Sequence, residues 1–147
     1  MPALFMPALS SWGRLSHDDH HLHWLQPENT QPILATAVPG IPYGMGRSYG
    51  DVCLNPGAHV WMTRQLNQFI SFDPASGILR CEAGVLLRDI NHTFLPQGWL
   101  LAVSPGTEFV TVGGAIANDV HGKNHHRFGS FGECVNSIEL VRTDGEK

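Results

Sequence analysis

The sequence has few cysteines, few charges and no long apolar run, and each shortage removes a class of protein. Its three cysteines, Cys53, Cys81 and Cys134, are widely spaced and form no CxxC pair. That pattern indicates neither a zinc knuckle nor a disulfide framework, and it fits a reducing compartment. Charged residues make up 15% of the chain, with nine Lys+Arg against thirteen Asp+Glu and a formal net charge of -4. There is no basic stripe, so nucleic-acid binding has no electrostatic support. No apolar run approaches the roughly 20 residues that span a bilayer. The apolar start at residues 1–9 lacks a basic segment and holds Pro2 and Pro7, so it does not read as a signal peptide. The expected location is cytoplasmic, with contact to a membrane left open. Also missing are a Walker lysine, a G-x-S-x-G serine elbow and any base placed to activate Cys53.

What remains is a chain of 147 residues, 42% hydrophobic, enough for one core of ordinary size. Residues 1–19 read as an N-terminal arm whose one distinctive pattern is Trp12-Gly13-Arg14. Residues 20–147 read as a domain. Strands are expected at 21–25, 41–43, 60–62 and 99–103, with a hairpin from 69–73 and 78–82 around Pro74-Ala75-Ser76-Gly77. Helices are expected at 28–37, weakened by Pro32, at 85–95, and as a short turn at 111–117. Residues 136–142 alternate like a strand. Thr143-Asp144-Gly145-Glu146 signals a hairpin turn with no returning strand, so the domain is expected to be incomplete at its C-terminus.

Two glycine-rich segments carry the chemistry. The first is Gly44-Met45-Gly46-Arg47-Ser48-Tyr49-Gly50-Asp51. Its third glycine is one place late for a Rossmann fingerprint, and no helix follows it. It is either an ordinary glycine turn or a nest of backbone N–H groups for an anion. The second runs through Pro105-Gly106-Thr107 and Thr111-Val112-Gly113-Gly114-Ala115-Ile116-Ala117, then Asn118-Asp119-Val120-His121-Gly122-Lys123. Small residues at a helix start suit a flat ring or a pyrophosphate, with amides facing the anion. A tight packing contact would also explain Gly113-Gly114, but not the polar cluster after it. His121 and His125 are four apart, as metal ligands on one helix face would be. Gly122 and Asn124 break that face, and this pair and the cluster His17, His20, His21 and His23 read as surface or structural histidines. No metal is assigned.

Together these segments resemble the FAD-binding domain of the vanillyl-alcohol oxidase / p-cresol methylhydroxylase superfamily. Within it they are similar to the flavoprotein oxidases of the decaprenylphosphoryl-β-D-ribose 2′-epimerase type. The resemblance rests on Trp12-Gly13-Arg14, both glycine segments, residues 119–126 and Gly129-Ser130-Phe131-Gly132. It implies an α+β fold of two lobes with FAD between them, of which this chain is the N-terminal, truncated portion. Pro42, Tyr43, Gly44, Met45, Gly46, Arg47 and Ser48 would bind the pyrophosphate. Gly106, Thr107, Thr111, Val112, Gly113, Gly114, Asn118, Asp119, Val120 and His121 would line the remaining cofactor contacts. His121 and Lys123 would face the flavin ring and the substrate side.

Many relatives carry arginine where Tyr43 stands. Sugar-lactone and alditol oxidases carry a flavin-linking histidine where Arg47 stands. Arginine stays protonated and cannot make that bond, so non-covalent FAD is expected. The implied reaction is oxidation of a secondary alcohol on a sugar or polyol, lipid-linked in the epimerase-type enzymes, by hydride transfer to flavin N5. The implied partner is a keto-sugar reductase. Two other readings stand beside it: an inactive half-domain, and a histidine-rich metal-binding module.

Overall fold

The computed structural model describes residues 9–16, 18–35 and 38–142. Three short strands form a parallel sheet in the order β1–β3–β2: β1 (His21–Trp24), β2 (Gly40–Tyr43) and β3 (His59–Met62). Side chains alternate across a strand, so each strand offers one face to the core. Val60 and Met62 are buried, and Leu22, Trp24 and Ile41 pack around them. On the other face, His21 and His23 stack against His59, with ring centroids 5.1 and 4.9 Å apart.

Parallel strands need a crossover, and β1 reaches β2 through a helix, α1 (Thr30–Leu34). It is shorter than the 28–37 expected. Gln26 and Asn29 shape its start: the Gln26 amide donates to Asn29 Oδ1 at 2.7 Å, and Thr30 Oγ1 donates to the Gln26 carbonyl at 2.7 Å. The connection from β2 to β3 is the first glycine segment.

The second half gathers around its own core of Val85, Leu87, Ile90, Phe94, Val103, Val110, Ala115 and Phe131. Strands β4 (Phe69–Asp73) and β5 (Ile78–Cys81) form the expected antiparallel hairpin, with Gly77 at φ +72° closing the turn. Phe72 packs on Phe94 at 4.3 Å between ring centroids. Helix α2 (Leu87–Phe94) buries Leu87, Ile90 and Phe94 at helical spacing. It begins two residues later than expected because Val85 and Leu86 are spent on other bonds: the Val85 carbonyl accepts from Val112, and Leu86 bridges to Thr111. Helix α3 (Val112–Ala117) forms where predicted, and a further turn, α4 (His125–Phe128), follows. Two separate hydrophobic clusters give the α+β fold its two lobes.

Two expected strands do not form. Residues 99–103 are irregular, although Val103 is fully buried and Trp99 and Leu101 pack on the second core. Their apolar character records packing alone. The Ala102 carbonyl accepts from Asn124 Nδ2 at 2.9 Å instead of from a neighbouring strand. Residues 136–142 carry no ladder among the described residues, and Ile138 and Leu140 are exposed. Glu139 reaches Arg80 of β5 at 3.7 Å, an exposed pair of small energetic weight. The turn expected at 143–146 lies outside the described residues, as do residues 1–8 and His17. No helix of the described residues is long and apolar enough to cross a membrane.

Leu87 is 1% exposed at the centre of the second core. Leu87→Ala is expected to lower unfolding stability by about 2–5 kcal/mol, read from the denaturant midpoint.

Candidate functional site

The two glycine segments meet. A Cβ at Gly44 would lie 2.6 Å from Thr111 Oγ1 and 3.2 Å from its Cγ2, so Gly44 allows the first loop to abut the start of α3. The loop leaves β2 at Tyr43 and turns at Gly46, which has φ +62° and sits against the Tyr43 hydroxyl and the Ser10 carbonyl. A larger residue there would be both strained and obstructed. Among the described residues, none accepts a hydrogen bond from the backbone N–H groups of Gly44, Met45, Gly46, Arg47 or Ser48. A run of donors left without partners in this way is what an anion-binding nest is made from. Arg47 adds a cation whose Nη1 donates to the Met45 carbonyl at 2.9 Å, folding the guanidinium back on its own loop.

The amides at the start of α3 are already engaged. Val112 donates to the Val85 carbonyl at 2.8 Å and Gly113 to the Ala83 carbonyl at 2.8 Å. Gly114 donates to Thr111 Oγ1 at 3.1 Å, the side-chain N-cap, and Ala115 to the Thr111 carbonyl at 2.8 Å. The expectation that these amides face an anion is therefore corrected: the helix start is locked onto residues 83–85. The packing explanation holds for Gly113, where a Cβ would stand 3.0 Å from Ala83 Cβ. Gly114 differs, because a Cβ there would meet only Thr111 Oγ1, at 3.1 Å. That side of α3 is open.

Other expected cofactor residues separate into those with free and those with committed side chains. Tyr43 is buried, and its hydroxyl donates to the Ser10 carbonyl at 2.7 Å; burial holds its pKa above the usual phenol value. Its side chain serves the first core. Asn118 Nδ2 donates back to the Gly114 carbonyl at 2.8 Å and closes the end of α3. Asp119 adopts φ +41°, and its Oδ1 accepts from the Gly132 amide at 2.9 Å. Hydrogen bonds from Ser130 and Gly132 hold its carboxyl below the usual aspartate range. Val120 receives the Phe131 amide at 2.8 Å. Residues 118–120 thus turn the chain out of α3, held by the side chains of Asn118 and Asp119 and by the Val120 carbonyl.

Beyond the turn lies an open cleft of about 550 Å³, lined by Ser104, Pro105, Gly106, His121, Gly122, Lys123, Asn124 and His125. Gly122 is buried against the Ser104 carbonyl, which lets the two walls approach. His121 and Lys123 are exposed on it, and a Cβ at Gly106 would meet nothing within 4 Å. His121 and His125 rings stand edge to face at 5.3 Å, and His125 Nδ1 lies 3.0 Å from the Gly122 carbonyl. Thr107 faces a separate, smaller cavity beside Asn91, and its hydroxyl accepts from Phe109 at 3.2 Å. Pro42 is exposed on β2. Helix α3 joins the two sites. Its six residues span about 9 Å, from Thr111 at the loop to the turn that enters the cleft.

Among the described residues, no group of three or more His, Cys, Asp or Glu side chains is placed to hold a metal ion. The histidines cluster instead through a residue the sequence reading passed over. His59 Nδ1 lies 2.7 Å from His23 Nε2, and desolvation, then His23 and His21, depress its pKa. Burial pushes the Cys81 thiol up to about 11, which keeps it neutral and unreactive. Asp51 was also missed as an anchor: its carboxylate accepts from Ser11 and Ser16, both at 2.7 Å. Only tertiary placement brings those serines to it.

A donor-rich loop and an open cleft thus stand at the two ends of a helix of small residues. Residues 31–147 match the FAD binding domain family, and the chain belongs to it. FAD is the cofactor of that family, and the free amides of residues 44–48 fit a diphosphate. The chain is 47% identical over 106 residues to decaprenylphosphoryl-beta-D-ribose oxidase of Mycolicibacterium smegmatis, covering 72% of this chain and 23% of that protein. It is 31% identical over 106 residues to D-2-hydroxyglutarate dehydrogenase of Escherichia coli, covering 71% of this chain and 10% of that protein. It superposes on alkyldihydroxyacetonephosphate synthase with a TM-score of 0.71 at 20% identity, over 84% of this chain and 24% of that one. The last likeness is one of fold. The chain thus spans about a quarter or less of the length of these relatives.

The Asp119 clamp has a pH signature. Its folded pKa is lowered, so its contribution is complete above the ordinary value of about 3.9 and is lost as pH falls through the lowered one. Asp119→Ala is expected to shift the denaturant midpoint near neutral pH, and the difference from wild type should shrink as the buffer is acidified towards about pH 3.

Proposed function

We propose that the protein containing this chain is an FAD-dependent oxidoreductase that oxidises a secondary alcohol of a sugar or polyol. The observation that carries this reading is the row of free amides at residues 44–48, set against Thr111 where α3 begins. Bound FAD would supply the hydride acceptor; the protein supplies binding, orientation and exclusion of water. The amides of Gly44 to Ser48 would hold the diphosphate, with Arg47 adding positive charge. The open side of Gly114 would let the cofactor run along α3 towards the cleft. There Lys123 would pair with an anionic or hydroxyl-bearing substrate and His121 would line the reacting side. The substrate class follows the likeness to the ribose oxidase, whose name also supports a lipid-linked sugar; a keto-sugar reductase as partner is part of the same proposal. A second reading, oxidation of a 2-hydroxy acid, is favoured by the likeness to D-2-hydroxyglutarate dehydrogenase and by a cation in the cleft that suits a carboxylate.

FAD is held without a covalent bond in this proposal, because Arg47 offers no nucleophile. Acid precipitation of the full-length protein should leave all flavin in the supernatant; flavin that stays with proteolysed peptide overturns this. Gly44→Val should drive the loop away from Thr111 and abolish flavin retention, measured by absorbance of the purified protein. Unchanged flavin content counts against the cradle. Anaerobic bleaching of the flavin by a phosphorylated pentose lipid, and not by 2-hydroxyglutarate, separates the two substrate readings.

A further inference from the structure

Residues 9–16 lack a place in the reading so far, yet they brace the glycine loop at both ends. Leu9 is buried in the first core beside Tyr43, Leu54 and Val60. Before the loop, the Ser10 carbonyl accepts the Tyr43 hydroxyl at 2.7 Å. After it, the Trp12 amide donates to the Ser48 carbonyl at 3.3 Å. Beyond that, Ser11 Oγ donates to Asp51 Oδ1 and Ser16 Oγ to Asp51 Oδ2, each at 2.7 Å. Ser11 is 2% exposed, so its hydroxyl has one role available. Arg14 takes φ 53° in the turn that brings Ser16 back to the carboxylate.

We infer that residues 9–16 are a clamp that sets the loop for its ligand, with Ser11, Ser16 and Asp51 as positioning residues for the cofactor. The inference rests on the FAD reading above. Two physical reasons support it. Amides with no acceptor among the described residues do nothing to hold the loop's shape, so that shape is imposed by what grips its ends, and a pre-set loop loses less freedom on binding. A carboxylate close to a diphosphate loop would also repel the ligand. Here both of its oxygens are turned onto arm hydroxyls.

The test is FAD titration of the full-length apoprotein, with the apoprotein's thermal midpoint measured in parallel. Variants are Ser16→Ala, which alters a solvent-accessible contact and spares folding, Ser11→Ala/Ser16→Ala, and Ser16→Thr, which keeps the hydroxyl. FAD affinity is expected to fall about tenfold in the double variant, and less in Ser16→Ala, from loss of hydrogen bonds to a charged acceptor. The apoprotein midpoint should stay close to wild type, and Ser16→Thr should bind FAD normally. Wild-type affinity in both alanine variants overturns the clamp. So does an affinity loss that only tracks a fall in the midpoint, which would make the contacts merely structural. A wild-type protein that binds no FAD overturns the cofactor reading itself, and the clamp with it.

Discussion

A backbone amide can serve a ligand only if the fold has not already taken it, and this constraint organises the molecule. Several turns of the second lobe are closed by their own hydrogen bonds. The start of α3 is the clearest case, with four amides engaged by Val85, Ala83 and both oxygens of Thr111. The first glycine loop is not closed in that way: among the described residues none accepts from its amides at 44–48, as is also true of the amides at 100–104 and 106–108. Its amides at 44–48 stay unpaired among the described residues while its ends are held by β2 and by residues 9–16, and the start of α3 stands beside it as a wall.

Close approach makes that division possible. Gly44 lacks the Cβ that would strike Thr111, and Gly113 lacks the one that would press on Ala83. One glycine therefore joins the two lobes and the other seats α3 on the second core. The same Thr111 hydroxyl caps the helix and forms the contact with the loop. On α3, between the loop and the cleft of Gly106, His121 and Lys123, Gly114 leaves one side open. Membership of the FAD binding domain family fits this long, bent site, since FAD is a dinucleotide with a charged centre and a flat end.

Much of the fold was legible in the residues. Short alternating runs at His21–Trp24, His59–Met62 and the Phe69–Cys81 hairpin became strands, because each had a partner within reach. The run at 99–103 is as apolar as a buried strand but has no neighbouring strand among the described residues to take its amides and carbonyls. Its side chains cover the hairpin and α2 instead, with Trp99 over Gly77. Helix ends were harder to place, since Val85 and Leu86 suit a helix by pattern and were taken by Val112 and Thr111. Of the site, the glycine loop and the 121–123 cluster were visible as unusual composition. The roles of Tyr43, Asn118 and Asp119 were not, because their polar groups point at partners 33, 4 and 13 residues away.

The sequence by itself determined where the chain could turn sharply, which short segments would alternate or coil, and that two glycine-rich stretches were built for close backbone approach. These are local properties, set by missing Cβ atoms and by the period of apolar residues. Which amides remain available was decided only in the tertiary structure. A donor's availability depends on the acceptors that packing brings beside it. For Gly113 that acceptor is Ala83, about thirty residues earlier in the chain; for the amides of residues 44–48 none arrives among the described residues.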